Sequence, residues 1–170
     1  MSSSLPKYIR TEDSFAIFSN CIPHAEAFTK MFGYKEEPTG AGFVQYCNED
    51  KRMGFKLLGE KCITGFDSFE EDCKDLKSIF KLLDDEKTPA KYIATSSRFI
   101  IFSNDFSHKE IANYLFTDFI IQGAGYVSLV EVNGEIKTNC FGESEELHVK
   151  SRKIDSLIID DAFQNEVEYH

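Results

Sequence analysis

The sequence predicts an α+β protein built by tandem duplication of a β-α-β-β-(β)-α unit, with helices packed on a mainly antiparallel mixed sheet and a pseudo-two-fold axis between the halves. Three observations predict it. Residues 7–26 (KYIRTEDSFAIFSNCIPHAE) align without a gap on residues 91–110 (KYIATSSRFIIFSNDFSHKE) at a shift of 84, with 11 of 20 positions identical. Unrelated segments match at roughly one position in twenty. Further on the shift becomes 83: Gly40-Ala41-Gly42-Phe43-Val44 falls on Gly123-Ala124-Gly125-Tyr126-Val127, Gly59-Glu60 on Gly142-Glu143, Ser68 on Ser151, Asp72 on Asp155 and Phe80 on Phe163. Third, each half runs through the same order of strand, helix-start and hairpin signals. The units are residues 7–83 and 91–163, joined by the polar linker 84–90 (DDEKTPA). Each is too small to bury a sizeable core alone, so the two are expected to pack as one globular body.

Residues 1–6 are a polar lead. Apolar and polar residues alternate over 7–11 and 14–19 around Glu12-Asp13, which predicts two short strands or one bent strand. In the second half Arg98-Phe99-Ile100-Ile101-Phe102 is almost continuously apolar, the pattern of a central strand covered on both faces. Helices are predicted over 23–32 and 107–116. Ser107 and Glu110 form a Ser-x-x-Glu capping box, while Pro23 suits a first helical turn because it has no N–H to lose. Gly-Ala-Gly then opens a hairpin, with strands over 126–132 and 135–141 meeting at Asn133-Gly134. The first half turns more loosely through Asn48-Glu49-Asp50-Lys51. Residues 147–150 alternate like a half-exposed strand, closing helices are predicted over 68–83 and 153–163, and the polar tail 164–170 is expected to fray.

Sixteen Phe and seven Tyr with no Trp give an aromatic core. The balance of 19 Lys+Arg against 29 Asp+Glu, a formal charge of −10, repels phosphate backbones and excludes a general nucleic-acid binder. It leaves open a basic protein partner, a DNA-mimicking surface, or solubility alone. Five cysteines (Cys21, Cys47, Cys62, Cys73, Cys140), odd in number and without Cys-x-x-Cys spacing, read as reduced thiols of a cytosolic protein. The start, MSSSLPKYIR, lacks the apolar run of a signal peptide, and no stretch is apolar enough to span a membrane, so a soluble cytoplasmic protein is expected. No spacing of metal ligands and no cofactor motif occurs, so neither metal nor cofactor is expected.

The repeated histidines, His24 and His108, stand at helix N-termini directly after an apolar strand. Free amides and the helix dipole there favour an anion and lower an imidazole pKa. In an enzyme these two would be the catalytic residues, base or nucleophile; otherwise they are exposed first-turn polar residues retained by duplication. Gly123 and Gly125 could let backbone approach a phosphate, or could serve a strand start. Glu60 and Glu143 follow turn glycines, Gly59 and Gly142. Polar residues kept in both halves (Lys7/Lys91, Asn20/Asn104, His24/His108, Glu60/Glu143) predict a binding site near residues 20–26 and 104–110, formed twice, unless Asn and Glu merely cap the helices.

The order of apolar strand, His at a helix head, Gly-x-Gly and Gly-x-Ser resembles the Janus/Ocnus family, which includes protein phosphohistidine phosphatases. The matching pieces are Phe99 to Ser103, Ser107-His108-Lys109-Glu110-Ile111, Gly123-Ala124-Gly125-Tyr126-Val127 and Phe141-Gly142-Glu143-Ser144, in about 50 residues of each unit. The resemblance implies that His108 is the family's catalytic base and that the segment around Ser144 is its phosphate-binding loop. The family carries an arginine after its glycines where this chain has Tyr126 and Phe43, and Lys61 stands where the second half has Ser144.

The leading expectation is a non-catalytic intracellular interaction protein with a protein partner, of a kind that suits an accessory product of a bacterium, phage or mobile element. A phosphatase-like enzyme acting on a phosphorylated protein or small phosphate ester through His108 is the alternative, and an acidic DNA mimic the third. The oligomeric state is left open beyond a pseudo-dimer within one chain.

Overall fold

A computed structural model describes residues 6–11, 14–32, 40–49, 52–59, 90–132 and 135–164. The expected helix over 68–83, residues 84–89 of the linker, Glu60, Lys61 and the tips of both hairpins, including Asn133-Gly134, lie outside the described residues. The elements are β1 (Lys7–Arg10), β2 (Phe15–Phe18), α1 (His24–Met31), β3 (Gly40–Glu49), β4 (Arg52–Gly59), β5 (Ala90–Ala94), β6 (Phe99–Phe102), α2 (His108–Leu115), β7 (Gly123–Val132), β8 (Glu135–Phe141), β9 (Glu143–Ser144), β10 (Val149–Lys150) and α3 (Lys153–Gln164). The class is α+β.

Eight strands form one sheet in the order β4-β3-β1-β2-β6-β5-β7-β8, and β9 pairs with β10 in a small second sheet. Every described pairing is antiparallel, so the expected mixture of directions is replaced by a uniform one. The order reads the same from either edge when β1–β4 are equated with β5–β8. The ladders agree residue by residue: Tyr8 lies opposite Ile17 and Gly42, and Tyr92 opposite Ile101 and Gly125.

The middle of the sheet is the β2–β6 ladder, where Ile17 faces Ile101, flanked by Ala16 opposite Phe102 and Phe18 opposite Ile100. Paired serines lengthen it. The Ser19 N–H donates to the Phe99 carbonyl (3.0 Å) and the Ser103 N–H to the Phe15 carbonyl (3.1 Å). In return the Ser19 and Ser103 hydroxyl oxygens accept the Phe99 and Phe15 amides, each at 3.1 Å. Strands of four residues thus satisfy their backbone groups without adding length.

Period-two alternation divides the apolar side chains between two faces. Tyr8, Phe15, Ile17, Tyr92, Phe99, Ile101 and Val127 form one cluster, which Ile159 and Ala162 of α3 join. Ile9, Phe18, Ile93, Ile100, Phe102 and Ala124 form the other, covered by Ala27 and Met31 of α1 and Ile111, Ala112 and Leu115 of α2. All four residues of β6 are buried on alternate sides, as its continuous apolar run predicts. α1 and α2 touch each other, α3 reaches from β8 to β3, and the edge strands β4 and β8 approach one another, so the twisted sheet curls.

β2 is an interior strand only because β6 covers it. A chain ended at Pro89 would bare that edge together with Phe15 and Ile17. Such a chain is expected to sediment as a dimer, paired β2 to β2 with Ile17 opposite Ile17, and Ile17→Lys is expected to block that pairing. A monodisperse monomer with native-like circular dichroism would contradict this account.

Candidate functional site

The Ser107 side chain accepts the Glu110 N–H at 3.0 Å and the Glu110 carboxylate accepts the Ser107 N–H at 3.0 Å, which fixes the first turn of α2 as the capping box predicts. Side chains in a helix lean toward its N-terminus, so a residue in the first turn lies back over the incoming chain and the sheet. His108 does so. It is 3% exposed, and its Nε2 lies 2.8 Å from the Gly125 carbonyl oxygen of β7. A carbonyl only accepts, so Nε2 carries the proton and Nδ1 of the neutral ring carries the lone pair. The ring sits edge-on between Phe102 and Tyr126, with centroids 5.8 Å from each. Burial lowers the His108 pKa and the nearby Lys91 charge adds to this, against the opposing pull of the Gly125 carbonyl and Glu146.

His24 repeats the geometry. Its Nε2 is 2.8 Å from the Gly42 carbonyl, and its ring lies between Phe18 and Phe43 at 5.8 and 5.6 Å. The expectation of exposed first-turn residues is corrected: both histidines are buried and pin each helix to the glycine strand behind it.

The other site residues fall into place around this pin. Lys91 Nζ donates to the carbonyls of Phe106 (2.9 Å) and Asn104 (3.4 Å), and Lys7 Nζ to that of Ile22 (3.1 Å), so the retained lysines tie down the turns before the helices. Gly125 is needed for close approach: a Cβ there would meet the Phe141 carbonyl at 2.5 Å. Gly142 adopts φ 77° and accepts the Ser151 N–H at 3.0 Å. Ser144 is buried, and its hydroxyl accepts the Leu147 N–H at 3.3 Å, which closes a turn.

Around them lies a pocket of about 410 Å³, lined by Lys91, His108, Tyr126, Glu143, Glu145 and Glu146. It unites His108 and Glu143 of the predicted set, with Gly125, Gly142 and Ser144 beside it and Asn104 joined through Lys91. Gly123 is elsewhere, its Cα packed against the Asp155 carboxylate. Asn20 and His24 belong to the first half, and Glu60 is outside the described residues.

Two features escape a reading by motif. Glu145 and Glu146 carry no signal beyond acidity. Asp155 is wholly buried: its carboxylate accepts the Tyr92 hydroxyl (2.6 Å), Arg152 Nη2 (2.6 Å) and Nε (3.0 Å), and the Arg152 N–H (3.0 Å). Burial, then this bond to Asp155, push the Tyr92 hydroxyl far above its usual range. Burial likewise pushes the neighbouring Cys140 thiol up to about 12, which favours the protonated form at neutral pH. Matches of Tyr8 with Tyr92 and Asp72 with Asp155 are the sequence signal for this network.

Among the described residues no group of His, Cys, Asp and Glu is arranged to hold a metal ion, and no helix is long and apolar enough to cross a membrane. No family model, no curated protein and no solved structure matches the chain.

His108→Ala removes the donor of a buried carbonyl and is expected to cost about 2–3 kcal/mol in urea unfolding, while His108→Gln, which keeps a donor, costs less. Because the folded-state pKa of His108 lies below its unfolded value near 6.5, its contribution to stability is complete above about pH 6.5. It is lost as pH falls toward the folded value, with a slope of up to about 1.4 kcal/mol per pH unit. His108→Gln is expected to flatten stability against pH in that window; an unchanged slope would assign it to other groups.

Proposed function

We propose that the chain is a non-catalytic interaction protein made of two copies of one α+β unit, residues 7–83 and 91–163, related by a pseudo-two-fold through Ile17 and Ile101 and recognising a protein partner. The matched ladders, the reciprocal serine bonds and the two equal histidine–glycine bonds support the duplication. One observation carries the non-catalytic reading. His108 spends its only ring N–H on a backbone carbonyl, and the pocket beside it holds three glutamates against a lysine already bonded to two carbonyls. That field repels phosphate, and the charge of −10 favours a basic partner.

A second reading follows the Janus/Ocnus resemblance, with His108 as the base of a phosphatase-like hydrolase. What favours it is the Nδ1 lone pair of a buried neutral histidine at the wall of a pocket that also contains Lys91. What weighs against it is Tyr126 at the position of the family's arginine.

Hydrolysis of p-nitrophenyl phosphate separates the two. Purified protein is expected to turn over no faster than His108→Ala. Robust turnover that falls by about 10²- to 10⁴-fold in His108→Ala would replace the interaction reading with the enzymatic one.

A further inference from the structure

The pocket next to His108 does not match its surroundings in the repeat. At the shift of 83, Glu143 aligns with Glu60, whereas Glu145 and Glu146 align with Cys62 and Ile63, so two of the three rim carboxylates occur in the second half alone. Inheritance from the common unit does not account for those two. Glu143, Glu145 and Glu146 are exposed around the opening, and the sole cation of the lining, Lys91, is committed to the Asn104 and Phe106 carbonyls.

The wall adds two further features. His108 is 3% exposed, its Nε2 is used by Gly125, and Nδ1 has no hydrogen-bond partner among the described residues although the ring lines the pocket. An imidazole acceptor thus remains available at the pocket wall. Tyr126 also lines the pocket, and its ring stacks on Phe141 with centroids 6.0 Å apart, giving an aromatic platform edged by carboxylates.

Three carboxylates, one imidazole lone pair and an aromatic face call for a ligand that is cationic, flat and rich in N–H donors. We infer that this pocket is the anchor point for an arginine side chain in a basic segment of the partner protein. The guanidinium stacks on the Tyr126 face and donates to the carboxylates of Glu143, Glu145 and Glu146 and toward Nδ1 of His108. A guanidinium suits this better than an ammonium, because it stacks on aromatic rings and its planar fork pairs two N–H groups with one carboxylate. A volume of about 410 Å³ is ample for one such side chain.

This inference rests on the interaction reading, yet it is tested separately from it. The full chain is titrated with a blocked Arg-Gly-Arg peptide and with its citrulline counterpart, which keeps the shape and removes the charge, while amide and side-chain chemical shifts are followed. Saturable shifts confined to Tyr126, Phe141, residues 143–146 and the His108 ring are expected for the arginine peptide, with none for citrulline. Glu145→Gln/Glu146→Gln, a change on the exposed rim, is expected to weaken binding by about tenfold. Rising salt is expected to weaken it further. Equal binding of the citrulline peptide, shifts that map elsewhere, or calcium or magnesium binding at the glutamates without arginine binding would each overturn the assignment. Phosphate-ester turnover would overturn the interaction reading instead, so the two failures are told apart.

Discussion

The antiparallel contact between β2 and β6 is the constraint on which the remaining structure depends. Four residues, Phe-Ala-Ile-Phe, meet four, Phe-Ile-Ile-Phe, with Ile17 opposite Ile101. Either strand alone would be a short sheet edge carrying large apolar side chains, a surface prone to pair with whatever it meets. Joined, they turn two four-stranded halves into one sheet and bury both faces of the middle. The clusters on the two sides each draw side chains from both halves, so the cores exist only once this pairing is made. Ser19 and Ser103 then lengthen a ladder that is too short on backbone bonds alone.

Buried polar groups locate the rest. His24 and His108 hold α1 and α2 against β3 and β7 through one hydrogen bond each, and Lys7 and Lys91 secure the turns that lead into those helices. On the other face, Asp155 joins the start of α3 to Tyr92 in the sheet. Since an unpartnered buried donor or acceptor costs about 1–3 kcal/mol, each of these groups specifies one position for its helix. The pocket beside His108 is therefore framed by parts that have little freedom to move. Its adaptable groups are the carboxylates at the rim.

Fold and candidate site overlap at Lys91 and His108 and differ at the rim. Those identical in the two halves, such as Lys7/Lys91, His24/His108, Gly42/Gly125 and Tyr8/Tyr92, are spent on architecture. Glu145 and Glu146, which the halves do not share, give the second half its chemical character. Lys91, His108 and Glu143, which have counterparts in the first half, line the pocket together with Glu145 and Glu146, which do not.

Among the described elements, the sequence by itself determined the order, the strand and helix limits to within a few residues, the capping box at Ser107 and the central place of residues 99–102, because these depend on local periodicity and on hydrogen bonds three residues apart. It also carried the correspondence of the halves. Only the tertiary structure decided that β2 and β6 join them, that the described neighbours run antiparallel, and that the histidines point inward onto glycine carbonyls. Those outcomes depend on contacts such as Ile17 with Ile101 and His108 with Gly125, between residues far apart in the chain. The acidic pocket was hidden for the same reason: Lys91, His108, Tyr126 and Glu143 to Glu146 come from separate elements, and only the curled sheet and the backward lean of the α2 side chains set them around one opening.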